Sequence, residues 1–511
     1  MNFKNYKMNS SLNFLKNYII ILIIVFANYN FYAQEDNIFH NRDFWKTKPS
    51  INQVDSCIKA GNSPSELDKF AFDATSWAII EDNSDETVKY LMSMEGNDVN
   101  KKTHDGRTYI FWAMYRNNLD LMNYLVKSGA KTDIIDSHGY SLMNFGAVTG
   151  QLNTKLYDFC LENGANIKKQ KNNDGANPLL LVSPFMEDEN LITYFAEKGI
   201  DINETDNNGN GIFNYSAKRG NQKIMDLLIK KGINYKENPI SNSNAMIFAS
   251  YGTRKFQNSL ETYKYLDSIG IDPKVVTKDG ETPLQNLAFK VKDLEIINFF
   301  IQKGASVDQT NSDGNNALIN ACYYNDSSVI SLLLKHTNNI NQQNQEGKSA
   351  LTNAVSRNTI ENIKLLIDKG CDINVKDNNG NGLLYYAIMY SQKSKMNLFS
   401  EKFDYLISKG LNPKTNNKKG ENLYHAAVEK NNMEIIKKIG DYNIDINTVN
   451  KDGMTALHIA AMKAKNSDIM KLLIELGADI KSKTNFGETA FDLASENEQL
   501  LKSKVNINFL R

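Results

Sequence analysis

Asp452-Gly453-Met454-Thr455-Ala456-Leu457-His458-Ile459-Ala460-Ala461, followed by Ile469-Met470-Lys471-Leu472-Leu473 and then Leu476-Gly477-Ala478-Asp479-Ile480, is a line this sequence writes more than once. It recurs as Asp279-Gly280-Glu281-Thr282-Pro283-Leu284, Ile296-Ile297 and Gly304-Ala305-Ser306-Val307-Asp308. A third copy reads Glu346-Gly347-Lys348-Ser349-Ala350-Leu351, Leu365-Leu366-Ile367 and Gly370-Cys371-Asp372-Ile373-Asn374. Turn glycines fall at Gly106, Gly139, Gly175, Gly209, Gly280, Gly314, Gly347, Gly380, Gly420, Gly453 and Gly487. Gly106 to Gly139, Gly314 to Gly347 and Gly420 to Gly453 are each 33 residues apart. One turn carries Asn242 where its glycine is expected, and an earlier repeat is readable from Ala74 to Asn100.

Each part of the line has a physical reason. The glycine supplies the positive φ of a β-turn. Thr caps a first helix, and Pro, where present, takes its first position without losing a needed N–H. Leu and Ala follow at helical spacing, the alanines small enough to let neighbouring helices approach. A second helix carries an Ile/Leu stripe and ends in Lys-Gly, at Lys198-Gly199, Lys303-Gly304, Lys369-Gly370 and Lys409-Gly410. Lysine there complements the helix dipole and glycine takes the left-handed cap. No single copy can bury its apolar face, so stability comes from stacking.

These lines resemble ankyrin repeats, whose signature is D-G-x-T-P-L-H-x-A-A, a second apolar helix and G-A-D-x-N; the resemblance covers about residues 70–500. It implies an all-α repeat solenoid of stacked helix–turn–helix repeats joined by β-turn or hairpin connections. The expected organisation is a leader over 1–34, a linker and capping half-repeat over 35–69, and an array of about 12 repeats with a C-terminal cap over 70–511. Val54 to Gly61 reads as the second helix of the capping half-repeat, and 487–511 starts a normal first helix before turning polar. Two repeats are overlong, with insertions at Tyr251–Leu260 and Ser391–Lys402 that read as longer helices or neutral loops.

Composition narrows the function classes. At 41% hydrophobic, 23% charged and 10% aromatic, the 511 residues exclude a disordered chain, a collagen and a polytopic membrane protein. Lys+Arg 59 against Asp+Glu 59 leaves no basic excess to grip phosphate backbones, so nucleic acid is not an expected partner. Lys4, Lys7 and Lys16 precede the apolar run Tyr18 to Ala27, and Ala33-Gln34 follows. That is the pattern of a secretory signal peptide cleaved near Ala33/Gln34, with a run short of the ~20 apolar residues a spanning helix needs. It predicts a periplasmic or secreted protein, touching a membrane only if the leader stays uncleaved. The ending resembles cleavage sites of Bacteroidetes, and the chain as a whole resembles their secreted or periplasmic ankyrin-repeat proteins.

Candidate chemistry is sparse. Asp206-Asn207-Asn208-Gly209-Asn210-Gly211 and Asp377-Asn378-Asn379-Gly380-Asn381-Gly382 half-match a calcium loop, but the twelfth position is Ala217 or Ile388, and both segments sit in the turn register. His425 and His458 hold the family's helix-start position, whose implied role is to tie down the turn; His104 and His138 lie on adjacent turn tips, where a weak metal site is conceivable. Cys57, Cys160, Cys322 and Cys371 lie in different repeats at different offsets, which predicts buried, unbridged thiols on different sides of the stack. Trp77 and Trp112 share one register and read as core. No catalytic motif or cofactor fingerprint is present, so neither an enzyme nor a small-molecule substrate is expected.

The resemblance assigns a binding face to the residues just after the paired small positions of the first helix. Here these are Tyr115-Arg116, Lys218-Arg219, Tyr251, Tyr323-Tyr324, Ser356-Arg357, Met389-Tyr390 and Glu429-Lys430, with Arg107 and Tyr140 added from the turn tips. Tyr and Arg are the side chains that most often anchor protein interfaces. The expected function is an extracytoplasmic protein-binding scaffold using the groove and turn tips; the alternative is an envelope organiser that self-associates or contacts the cell wall.

Overall fold

The computed structural model describes residues 37–236 and 238–511, so the apolar leader and its cleavage point lie outside the described residues. The chain groups into two compact units, the first reaching to Val182 and including Asn190–Ile202, the second made of Ser183–Glu189 and Asn203–Arg511. Within each unit the building block is a pair of short helices preceded by a turn. Among the described residues there is no strand, only isolated bridges at Thr253–Phe256 and Gln343–Ser349.

One repeat of the second unit shows how the sequence builds the pair. The Thr282 hydroxyl accepts the Gln285 N–H at 3.2 Å while the Gln285 side chain accepts the Thr282 N–H at 3.0 Å, and Pro283 opens the helix Pro283–Lys290. Asn takes the capping role at Asn244, Asn316 and Asn422. The second helix, Leu294–Gln302, buries Ile296, Ile297 and Phe300 against Leu284, Leu287 and Ala288, each large side chain contributing about 1.5–3 kcal/mol of transfer free energy. Gly304 then ends it at φ +90°, with the Ala305 N–H donating back to the Phe300 carbonyl at 2.9 Å.

The connections are short turns, each closed by one backbone bond, as from the Asn344 N–H to the Lys348 carbonyl (2.9 Å), to which side chains add. Asn344 Oδ1 accepts the N–H groups of Glu346 at 3.0 Å and Lys348 at 2.9 Å, closing the turn on itself. Each turn then donates one backbone bond to the one before it: Ser312 to Asp279 (2.7 Å), Gln345 to Asp313 (2.8 Å), Asn378 to Glu346 (2.9 Å) and Lys451 to Lys419 (2.8 Å). Glycine is required by this contact as well as by φ, since a Cβ on Gly347 would stand 2.7 Å from the Asn378 nitrogen. Asn242 replaces the missing glycine by adopting φ +56° itself.

A second row of bonds runs deeper. Between the two helices of successive repeats, an asparagine Nδ2 reaches back one repeat to carbonyl oxygens at the end of a first helix. Asn258 donates to Ala217 (3.0 Å), Asn325 to Ala288 (2.9 Å) and Val291 (2.8 Å), Asn358 to Cys322 (3.1 Å) and Asn325 (2.9 Å), and Asn497 to Ala461 (3.0 Å) and Ala464 (2.9 Å). All four asparagines are buried. On the second helices, tyrosine hydroxyls donate to an aspartate of the preceding repeat, as Tyr265 to Asp226 (2.5 Å) and Tyr442 to Asp404 (2.6 Å).

The two insertions are a loop and a lengthened helix. The first, between helices Ala245–Tyr251 and Leu260–Ser268, turns at Gly252 and is pinned by Asn258. The second ends in Met396–Ser408, 13 residues where the other second helices have eight or nine, apart from the five-residue Glu498–Lys502 at the end of the array. Its Lys402 is buried, and its Nζ donates to the Val355 carbonyl at 3.0 Å, the bond that an asparagine makes in neighbouring repeats. Burial pushes the Lys402 ammonium down to about 8. The ends are closed by local plugs: Phe39 and Trp45 are fully buried at one, with Trp45 Nε1 donating to the Phe39 carbonyl (2.9 Å), and Leu510 is buried at the other.

Asn358→Ala takes the amide donor from the Cys322 carbonyl and leaves the Asn325 carbonyl only the 3.3 Å bond from Asn362, and is expected to destabilise the chain by about 2–4 kcal/mol in urea unfolding. Lys402 gives a pH signature. The unfolded chain holds the lysine proton up to about 10.5 whereas the folded chain releases it from about 8, so the folded state gains stability as pH rises through that window. Between pH 7.5 and 9, below the range where the buried thiols begin to oppose it, the melting temperature should rise relative to that of Lys402→Met.

Candidate functional site

The helix-end register falls nine and ten residues after each turn glycine, and in the second unit it gathers aromatic and cationic side chains on one surface. Phe289 stacks on Tyr323 with ring centroids 5.8 Å apart and meets Tyr324 edge-on at 5.4 Å; Tyr323 and Tyr324 pack edge-to-face at 4.6 Å. Arg357 lies between two rings, its guanidinium carbon 5.2 Å from the centroid of Tyr323 and 5.0 Å from that of Tyr390. Its Nη1 donates to the Tyr324 hydroxyl at 3.4 Å. Tyr390 in turn stacks on Tyr386 at 6.2 Å. Tyr324 is 53% exposed, Arg357 is exposed, and Tyr323 and Tyr390 are half-buried. The tyrosines and the arginine thus hold one another in place while keeping an open side.

Beside this cluster runs a groove of about 510 Å³, lined by Tyr385, Tyr386, Met389 and Tyr390 on the helix side and by Gln345, Glu346, Lys348 and Asp377–Asn381 on the turn side. Its charges are largely spent. Lys348 pairs with Glu346, and Asp377 accepts the Tyr386 hydroxyl (2.7 Å) and the N–H groups of Asn379 and Asn381 (both 2.8 Å). Asp206 is used alike, accepting from Asn208 (2.9 Å), Asn210 (2.9 Å) and the Tyr215 hydroxyl (3.0 Å). Both half-matches to a calcium loop are therefore self-bonded turns, as their register implies.

Residues 75–171, 246–344, 336–402 and 396–484 match the family model described as ankyrin repeats (3 copies). The chain is an ankyrin-repeat protein. Among solved structures, the ankyrin repeat domain of human ASB11 is similar in fold, at 20% identity over 43% of this chain and 97% of that one, with a TM-score of 0.37. No curated protein matches the sequence.

Other helix-end residues of this ankyrin protein are placed differently. Lys218 lies over Tyr215 (4.5 Å) and Phe248 (5.2 Å), and Arg219 sits between Phe185 (5.0 Å) and Phe256 (4.8 Å), both half-buried. Tyr251 donates its hydroxyl to Glu281 at 2.6 Å, and burial raises its phenol above the ordinary range. Ser356 is buried, and Glu429 is neutralised by Lys463 at 2.5 Å. In the first unit Tyr115 is 41% exposed and Arg116 pairs with Asp82 at 3.2 Å.

Arg107 does not stand on a turn tip. It is buried, its Nε and Nη2 on Asp136 (2.8 and 2.7 Å), its Nη1 on Asp105 (3.0 Å) and its plane over Phe145 (4.6 Å). Two acids on neighbouring turns and an aromatic face make a better environment for its fork than water, so it staples the turns together. Tyr140 is half-buried, and burial raises its phenol. Phe289, Lys290 and Met462 occupy the same register as the quoted residues; counting nine and ten from Gly280 and Gly453 finds them.

His104 and His138 do converge, both Nε2 atoms standing near Asp105 Oδ2 at 3.3 and 3.2 Å, but the Arg107 guanidinium already occupies that oxygen. Among the described residues no group of three or more His, Cys, Asp or Glu side chains is arranged to hold a metal ion. Cys57 is half-buried rather than buried. All four cysteines are unbridged; burial raises the Cys322 thiol and pushes the Cys371 and Cys160 thiols up to about 12. Trp112 is buried, whereas Trp77 is half-buried under Arg42, 5.4 Å from its ring.

His425 and His458 close capping boxes. His458 Nδ1 accepts the Thr455 N–H (3.1 Å) and Nε2 donates to the Ser482 carbonyl (3.1 Å); His425 does the same between Asn422 (3.2 Å) and Met454 (3.1 Å). A ring that accepts at one nitrogen must be neutral, and burial lowers both imidazoles below their ordinary 6.5. The unfolded chain therefore binds more protons below that value, and the stability the neutral rings supply is complete above pH 6.5 and lost as pH falls. Melts between pH 7.5 and 5 should fall in temperature, and His425→Gln/His458→Gln should flatten that dependence.

Proposed function

We propose that this ankyrin array is an extracytoplasmic protein-binding scaffold whose contact centre is the Tyr323–Tyr324–Arg357–Tyr390 surface. The observation that carries the reading is the arginine held between two tyrosine rings with a third beside it, all on one helix-end register. Rigid aromatic and arginine side chains bind at low entropic cost, since their rotamers are fixed before the partner arrives. Ankyrin repeats generally mediate protein–protein interaction, which supports a protein partner. Export is supported by Lys4, Lys7, Lys16, the run Tyr18 to Ala27 and Ala33, and the resemblance to secreted or periplasmic proteins of Bacteroidetes agrees with it.

The test is crosslinking and affinity capture of the tagged chain from separated periplasm, membrane and medium, with the N-terminus read by mass spectrometry. A stoichiometric protein in one fraction is expected, and a start near Gln34 or Glu35. The variant with Tyr323, Tyr324, Arg357 and Tyr390 all changed to alanine should lose that protein. It should keep most of its stability, losing about 2–3 kcal/mol because two of the three rings are half-buried. Capture of only the chain itself or of wall material would move the reading to an envelope organiser.

A further inference from the structure

We infer that the surface around Arg357 takes an acidic, extended segment of its protein partner, with a Glu or Asp carboxylate seated on the Arg357 guanidinium. This rests on the reading of that surface as the contact centre. The reason is charge that the chain leaves uncompensated. Lys290, Arg357 and Lys430 each stand ten residues after a turn glycine, and each is satisfied by a neutral oxygen: the Tyr251 carbonyl at 2.9 Å, the Tyr324 hydroxyl at 3.4 Å and the Met389 carbonyl at 2.8 Å. Other cations of this chain are paired with acids, as Arg107 with Asp105 and Asp136, Arg116 with Asp82, and Lys463 with Glu429, whereas Arg219 is covered by Phe185 and Phe256.

Arg357 is the most prepared of the three. Tyr323 and Tyr390 flank its guanidinium and fix its direction, leaving the N–H edge as the part that can bond. Of its five donors the only hydrogen bond found among the described residues is the long one to Tyr324. A carboxylate accepts two parallel bonds from such a fork, and rings on either side exclude water and strengthen the pair. In the adjoining groove Lys348 pairs with Glu346, and Asp377, still anionic, has its oxygens turned to the Tyr386 hydroxyl and the N–H groups of Asn379 and Asn381. Nucleic acid is the competing polyanion, and a chain with Lys+Arg 59 against Asp+Glu 59 has no basic excess to grip a phosphate backbone.

The experiment is fluorescence anisotropy of the purified chain with a labelled peptide of about twelve residues alternating Glu and Tyr, against the Gln/Tyr peptide and an oligothymidylate of similar length. The Glu/Tyr peptide should bind at least about tenfold more tightly than the Gln/Tyr peptide, and weaken as salt rises from about 0.05 to 0.5 M. Arg357→Gln should remove most of that preference. Arg357→Lys, which keeps the charge but loses the planar fork, should lose it nearly as far, with unchanged thermal melts showing both variants folded. Equal binding of the two peptides, or tighter binding of oligothymidylate, overturns the inference. So does absence of peptide binding by a chain whose captured partner still depends on the tyrosines, an outcome that leaves the scaffold reading standing.

Discussion

A carbonyl at the end of a short helix has no partner within that helix, and in a stack it is also shut away from water. That constraint governs the architecture. Helices of seven to nine residues leave a large share of their carbonyls unpaired, and the chain answers with donors sent back from the following repeat. Asn325, Asn358 and Asn497 each supply two bonds from one amide, which ties the pairing of helices to the stacking of repeats. A repeat alone would lack both the donor and the apolar wall, so neither secondary nor tertiary structure precedes the other.

The turn-to-turn backbone bonds are a second expression of the same economy. Asx side chains close each turn internally, leaving one N–H and one carbonyl to join neighbouring turns. Tyr265 on Asp226 and Tyr442 on Asp404 add a third row on the second helices. Three rows hold successive repeats in register; the helix-end side chains lie outside these rows, and the cross-repeat bonds they make, such as Lys290 to the Tyr251 carbonyl and Lys430 to the Met389 carbonyl, differ from repeat to repeat. That freedom lets side chains there vary: a buried Ser356 in one repeat, an exposed Tyr324 in the one before. A binding surface can change residue by residue without touching what holds the stack.

Much of the site was readable in advance, and the failures are specific. Tyr323, Tyr324, Arg357 and Tyr390 follow from register because their offsets place them together. Phe289 obeys the same offset, but an apolar ring near the end of a helix reads in sequence as core, and only the packing on Tyr323 and Tyr324 shows it on the surface. Arg107 was misplaced because its position in the turn says nothing of Asp136, a whole repeat away, whose carboxylate draws it inward.

The sequence by itself determined the repeat, its helix caps, the glycine turns and the neutral capping histidines, because these depend on residues within a few positions of one another and recur with the period. Only the tertiary structure decided which polar side chains would be buried and what they would bond. Lys402 shows the difference. In sequence it is one lysine in an insertion; in the fold it takes the place of an asparagine and donates to Val355, 47 residues earlier. The lengthened helix Met396–Ser408 brings it there. Long-range hydrogen bonds are set by distances in space, and a linear pattern carries those distances only where the repeat is regular.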